Sequence, residues 1–195
     1  TEVGKKEFEE IIEYRIQAHE SRNEAEIEEL IETCLKHGLA VASHDDDTLE
    51  KIKWVHSMGV TISEFPVNKT AVQAAQDHEM AIAFGAPNVI RGKSLSGNIS
   101  AKETIAKGLG SILCSDYAPL SLLHVIFLLS NEKLMSIEEA VNMVSLNPAK
   151  AVGIDNETGS IEVGKTADLI LVDCEQELPL ISKTIVNGRE VFAVT

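Results

Sequence analysis

Basic residues are scarce in this chain: 17 Lys and Arg stand against 31 Asp and Glu in 195 residues, a formal net charge of −14. That balance argues against nucleic acid or an anionic membrane surface as the main partner, since both reward a cationic face. A small anionic substrate would need a local basic patch or a metal ion to bind at all. Cysteine is equally sparse. Cys34, Cys114 and Cys174 are widely spaced and odd in number, so they supply neither a disulfide framework nor a paired metal motif. Reduced thiols in a cytoplasmic protein are the expectation. No apolar run reaches the ~20 residues of a membrane-spanning helix, no signal peptide opens the chain, and no repeat or low-complexity segment interrupts it. The first residue is Thr1 rather than Met, which leads us to expect a segment of a longer protein. What remains, 44% apolar and 25% charged residues, suits a globular chain with one substantial core, or one domain plus a small appendage.

Strand and helix patterns alternate regularly. Phe8, Ile11, Ile12 and Ile16 form one amphipathic stripe, and Asn23 caps a second helix that ends at Gly38. Strand candidates follow at Leu39–Ser43, Val60–Phe65, Met80–Phe84 and Ser111–Ser115. The helices between and after them are Leu49–Met58, Lys69–His78, Ala101–Lys107 and Ser121–Leu129. Repeated βα units predict a parallel α/β sheet. Ser136 to Glu139 is a capping box that opens a further helix through Val144, and Asn147-Pro148 restarts a short one with proline first. From Gly159 the texture turns β-rich, with runs at Gly159–Val163, Asp168–Val172, Ile181–Val186 and Glu190–Val194. We therefore expect two units, 1–158 and a β appendage over 159–195.

The chemistry-bearing residues gather where strands are expected to end. Ser43-His44-Asp45-Asp46-Asp47-Thr48 delivers an imidazole and three carboxylates to the C-terminal end of a strand, the edge where α/β proteins place their chemistry. Imidazole with carboxylate is a ligand set suited to zinc and related divalent ions. Alternatively, the acids cap the helix opening at Thr48 and His44 is incidental. Asp116 sits at a second strand end, where a carboxylate can ligate a metal and take a proton from attacking water. Glu64 ends a third, as a ligand or a turn residue. The segment Gly85 to Asn98 reads as a long loop holding Asn88, Arg91, Lys93, Ser96 and Asn98, whose N–H groups, hydroxyls and cations suit phosphate oxygens. His124 reads as a core histidine.

Gly159-Ser160-Ile161-Glu162-Val163-Gly164-Lys165-Thr166 matches the nucleotide-binding pattern G-x-x-x-x-G-K-[ST] letter for letter. That loop needs a strand before it and a helix after it. Here a polar turn precedes and the apolar run Leu169–Val172 follows, so a plain β-turn is expected.

Several segments together resemble the amidohydrolase superfamily: TGSIEVGKTADLILVD at 158–173 with SLNPAKAVGI at 145–154. ASHDDDT, TISEFP, GAPNVIRGKSLSGN and SDYAPLSLLH, in that order, are similar to the diphosphatases of phosphonate utilisation within it. The resemblance implies the second half of a metal-dependent (β/α)8 barrel, plus part of a small β-sandwich. It implies hydrolysis of a ribose methylphosphonate triphosphate with release of pyrophosphate, and a divalent metal, zinc or manganese. By the superfamily pattern His44 ends the fifth strand, Asp116 ends the eighth as ligand and base, and Glu64 stands where a sixth-strand histidine is usual. Asn88, Arg91, Lys93, Ser96 and Asn98 would hold the phosphates. Two departures stand out: Leu95 replaces a histidine, and no H-x-H first-strand motif occurs anywhere. The chain alone is then expected to be inactive and to associate with itself or with a separate N-terminal half. The rival readings are a receiver-like Mg-binding α/β domain and a non-catalytic phosphate-binding fragment.

Overall fold

The computed structural model describes residues 4–20, 23–94, 96–174 and 178–194; Leu95 lies outside them. Two helices open the chain, α1 (Lys5–Glu20) and α2 (Glu24–Lys36). The Asn23 side chain caps α2 by accepting from the Ala25 N–H. There follow β1 (Ala42–His44), α3 (Leu49–Ser57), β2 (Ile62–Glu64), α4 (Lys69–Asp77), β3 (Ala81–Gly85), α5 (Ala86–Arg91), α6 (Ala101–Ile105) and β4 (Ile112–Cys114). The four strands form one parallel sheet in chain order, β1-β2-β3-β4. Three more helices, α7 (Ser121–Asn131), α8 (Ile137–Asn142) and α9 (Leu146–Ala151), lead to a separate antiparallel sheet of β5 (Leu169–Asp173), β6 (Leu180–Val186) and β7 (Arg189–Ala193).

Strand register decides which residues share a face. His44 pairs with Glu64, Glu64 with Ala83, and Ala83 with Ile112. Because side chains alternate along a strand, Cys114 joins that same face two residues beyond Ile112. The opposite face carries Ser63, Ile82, Phe84 and Leu113. There Ile82, Phe84 and Leu113 join the core with Ile52 and Val55 of α3, Val72 and Ala75 of α4, Val89, Ile105, Val125 and Leu129. Each fully buried aliphatic in that layer contributes roughly 1.5–3 kcal/mol of transfer free energy. The helices therefore sit on one side, and the His44–Glu64–Cys114 face is the other.

The structure differs from the sequence expectation in several elements, the strands of the parallel sheet being displaced by one to three residues at their ends. The 85–98 segment is no continuous loop: Ala86 to Arg91 is helical, with Pro87 in its first turn and Gly92 ending it at φ 72°. Gly159 to Val163 is a turn, because Gly159 packs against α9 instead of extending. Helix α9 starts at Leu146, so Pro148 lies inside the first turn and not at its first position. On the outer side of β4 the Leu113 N–H donates to the Met143 carbonyl at 2.8 Å. The capping box at Ser136 and Glu139 forms as expected, both of its bonds present. Strand β6 returns to β7 through Asn187-Gly188, both at positive φ, the requirement of a two-residue hairpin turn that matches strand twist. Phe8, Ile11, Ile12 and Ile16 on α1, and Ile170, Val191 and Phe192 of the antiparallel sheet, are exposed.

Candidate active site

Three of the four parallel strands end in the same unusual way. Asp45 after β1, Phe65 after β2 and Asp116 after β4 have φ of 53°, 54° and 50°. Each is a non-glycine residue in the left-handed region, at a cost of roughly 1–2 kcal/mol. The ladder runs one bond past the strands, Asp45 N–H to the Glu64 carbonyl at 3.0 Å and Phe65 N–H to the Ala83 carbonyl at 2.9 Å. The chain then breaks sharply, presenting the terminal side chains at the C-terminal edge. Strain of this kind clusters at functional sites.

The turn after β1 is held by Asp46. Its side chain is fully buried on the helix side of the sheet. Oδ1 accepts from the Ser43 hydroxyl and Oδ2 from the Ser63 hydroxyl, each at 2.5 Å. The Lys51 ammonium lies 3.2 Å from Oδ1 and also donates to the carbonyls of His44 and Asp45 at 2.7 and 3.2 Å. One of the three sequence acids is therefore a fastening that ties β1, β2 and α3 together. Asp47 stays exposed, and its carbonyl accepts from Asn68.

His44 is freed by that fastening to face the open side. Its ring meets Phe65 edge-on at 5.2 Å, and Nδ1 lies 3.3 Å from Asp45 Oδ2. A carboxylate beside the imidazole is a partner that metal-ligating histidines commonly have. Glu64 is its register neighbour on the same face. Asp116 lies across the sheet. With β1 and β4 three strand spacings apart, about 14 Å, a ligand touched from both ends would lie over β2 and β3. Among the described residues no three of His, Cys, Asp and Glu come close enough to hold a metal ion. An imidazole beside a carboxylate has the donor chemistry that suits a divalent ion, and two such groups are fewer than a metal site needs. Cys114 is no nucleophile here: burial, reinforced by the charge of Glu64, pushes its thiol up to about 11.

Beside this edge is a recess of about 240 Å³ whose lining includes Asn88, Arg91, Ser96, Asn98 and Asp116. It is smaller than the ~300–1,000 Å³ of pockets that enclose drug-sized ligands. Both ends of the Asn88 amide are committed: Nδ2 donates to the Ile99 carbonyl at 3.2 Å and Oδ1 accepts from Ala101 N–H at 3.0 Å. Asn88 thus shapes the recess wall. Lys93 is exposed and outside the lining. Sequence reasoning passed over Tyr117, whose hydroxyl accepts from Arg91 Nη1 at 2.5 Å, and the structural roles of Asp46, Ser63 and Lys51. A buried serine on one strand opposite an S-x-x-D on the next was the available signal for Asp46.

The Walker-like segment behaves as a turn. Lys165 Nζ donates within the turn, to the Ser160 hydroxyl at 2.5 Å and to Glu162 at 3.1 Å, and a strand follows it. The Ser160 hydroxyl and the Lys165 ammonium hold the Glu162 carboxyl below its ordinary range. The receiver-like alternative fails at β3, which ends in Gly85 and runs straight into α5 with no acid to accept a phosphoryl group.

Comparison with known proteins bears on the family. The chain is 37% identical over 167 residues to the alpha-D-ribose 1-methylphosphonate 5-triphosphate diphosphatase of Escherichia coli K12, covering 85% of this chain and 44% of that enzyme. In fold it is similar to an N-acetylglucosamine-6-phosphate deacetylase of Pasteurella multocida, with TM-score 0.65, 15% identity, and coverage of 84% of this chain and 53% of that one. A zinc-bound adenosine deaminase of Xanthomonas campestris gives TM-score 0.63 at 14% identity, over 88% of this chain and 49% of that one. The chain spans about half the length of these proteins. The likeness in fold includes its parallel α/β sheet. Residues 3–191 match the amidohydrolase family, and with that span and that fold the chain belongs to it.

Proposed function

We propose that the protein carrying this chain is a metal-dependent hydrolase of phosphonate utilisation, cleaving a ribose 1-methylphosphonate 5-triphosphate to pyrophosphate and the 5-phosphate. The observation that carries the reading is the pairing of a guanidinium and a strand-end carboxylate, Arg91 and Asp116, on one recess at the C-terminal edge. The 37% identity to the Escherichia coli diphosphatase supports the substrate.

In this reading His44 and Glu64, register neighbours at one end of the edge, would hold a divalent ion, zinc or manganese, with donors from the rest of the protein, and Asp116, three strands away, serves as the base. When bound, the ion supplies Lewis acidity toward the phosphoanhydride and acidifies water. Asp116 accepts the proton of the water that attacks phosphorus while the phosphoanhydride bond breaks and pyrophosphate departs. Arg91 offsets the phosphate charge, Lys93 outside the recess adds only a longer-range positive field, and the Ser96 hydroxyl and Asn98 amide orient the oxygens. Asn88 keeps their loop in place. The apolar residues exposed on α1 and on the antiparallel sheet favour association with a second copy or with other residues of the same protein.

The test is pyrophosphate release by the polypeptide extended to the length of its Escherichia coli relative. Arg91→Ala should raise KM for the triphosphate about tenfold or more, the loss of one charge-assisted phosphate contact. Unchanged KM and kcat in that variant would remove the recess from the reaction.

A further inference from the structure

We infer that Arg91 and Tyr117 act as one phosphate-recognition unit at the mouth of the recess, in which the Tyr117 hydroxyl aims the guanidinium and gives its own proton to the same anion. The inference rests on the phosphate reading above and names a residue that reading does not contain.

Arg91 is the last residue of the short helix α5, and Tyr117 follows left-handed Asp116 in the turn after β4. Their hydrogen bond therefore closes the recess across its mouth, joining two segments that are 26 residues apart. In that bond Arg91 Nη1 donates and the phenol oxygen accepts. The phenol proton must point elsewhere, and among the described residues Tyr117 has no acceptor for it. A guanidinium has five N–H donors, so most of those on Arg91 are left over as well. Among the described residues no carboxylate lies within ion-pair distance of Arg91.

Both groups line the same recess as Ser94, Ser96 and Asn98, and the acidic Asp45 and Asp116 line it as well. An anion entering it is repelled from the carboxylates and drawn to Arg91 and Tyr117. An exposed arginine otherwise samples many rotamers and must be ordered on binding. Tethering to a phenol orders it beforehand, which raises affinity without any new contact from the arginine itself. The ligand class is a phosphoryl group, since tetrahedral oxygens can accept from the guanidinium fork and from the phenol together.

The experiment is calorimetric titration of this chain with inorganic pyrophosphate at low ionic strength, comparing wild type, Arg91→Ala, Tyr117→Phe and the double variant. We expect Arg91→Ala to weaken binding about tenfold or more, and Tyr117→Phe about fivefold, the worth of one hydrogen bond. The double variant should bind more weakly than Arg91→Ala but lose less than the product of the two single effects, because the aiming part of Tyr117's contribution needs the guanidinium; a fully multiplicative loss would show the two groups acting independently. The melting temperature of Tyr117→Phe should not move, whereas slowed rotation of the Arg91 guanidinium, read by 15N NMR, should be lost. If Tyr117→Phe binds as wild type while Arg91→Ala does not, the pairing is wrong and the phosphate reading stands. If Arg91→Ala binds as wild type, or the wild-type chain takes up no pyrophosphate, both are wrong.

Discussion

Replacing Asp46 by alanine should loosen the candidate active site before it unfolds anything else. The substitution removes the acceptor of two serine hydroxyls, each at 2.5 Å, and the counter-ion of Lys51 at 3.2 Å. Hydrogen bonds to a charged group are worth about 1.5–3 kcal/mol each, and breaking a buried ion pair by deleting one partner costs about 3–5 kcal/mol. Those figures overlap, and two features reduce their sum. Lys51 keeps the carbonyls of His44 and Asp45 as acceptors, and deleting Asp46 ends the burial of its own charge. A loss of about 2–4 kcal/mol is the outcome, or roughly 2–4 °C per kcal/mol in melting temperature for a chain of this size. Asp46→Asn keeps the shape and one acceptor, and should lose about half as much. The assay pairs urea unfolding with hydrogen exchange. Protection should fall first at Val67, whose N–H donates to the Asp46 carbonyl, and at Asp45 and Phe65, while amides of the antiparallel sheet are unaffected. A loss under ~0.5 kcal/mol, or one spread evenly over both sheets, would refute the idea that Asp46 fastens this edge.

Lys165→Ala should leave substrate and pyrophosphate affinity unchanged, because its ammonium donates within the turn; a loss beyond tenfold, ~1.4 kcal/mol, would show that the Walker-like segment binds phosphate. Gly159→Ala should destabilise the junction between α9 and the antiparallel sheet by about 2–4 kcal/mol in urea unfolding. The position has φ +90°, and an added Cβ would sit 2.7 Å from the Ala149 Cβ and 3.2 Å from the Leu146 backbone; full stability would contradict that packing. In timed thiol labelling at pH 8, exposed Cys174 should react well before Cys114. Burial pushes the Cys114 thiol up to about 11, so little thiolate is present below that pH. Equal labelling rates would contradict the burial.

The strand ends were legible in the sequence because each couples a short apolar run to a polar residue, and that boundary survives errors of a residue or two in strand length. His44, Glu64 and Asp116 could be placed on one edge for that reason. Their division of labour could not. Asp45, Asp46 and Asp47 are identical letters, and only the register of β1 against β2 brings Ser63 over Asp46 and turns it inward. The 85–98 segment misled because Gly85-Ala86-Pro87 reads as turn chemistry, yet proline is welcome in the first turn of a helix. Val163 and Ile161 suggested a strand, and the backbone of Gly159 against α9 prevents one. The Arg91–Tyr117 bond joins positions 26 residues apart, a distance over which local pattern carries no information.

The central claim, that the C-terminal edge of the parallel sheet performs metal-dependent hydrolysis, is tested most directly at His44. Pyrophosphate release and bound metal would be measured for His44→Ala in the polypeptide extended to the length of its Escherichia coli relative, at saturating zinc or manganese. Turnover should fall by a factor of about 100 or more and metal affinity should drop, with the melting temperature preserved because the side chain is exposed. Wild-type turnover at saturating metal would take His44 out of the site and contradict the account.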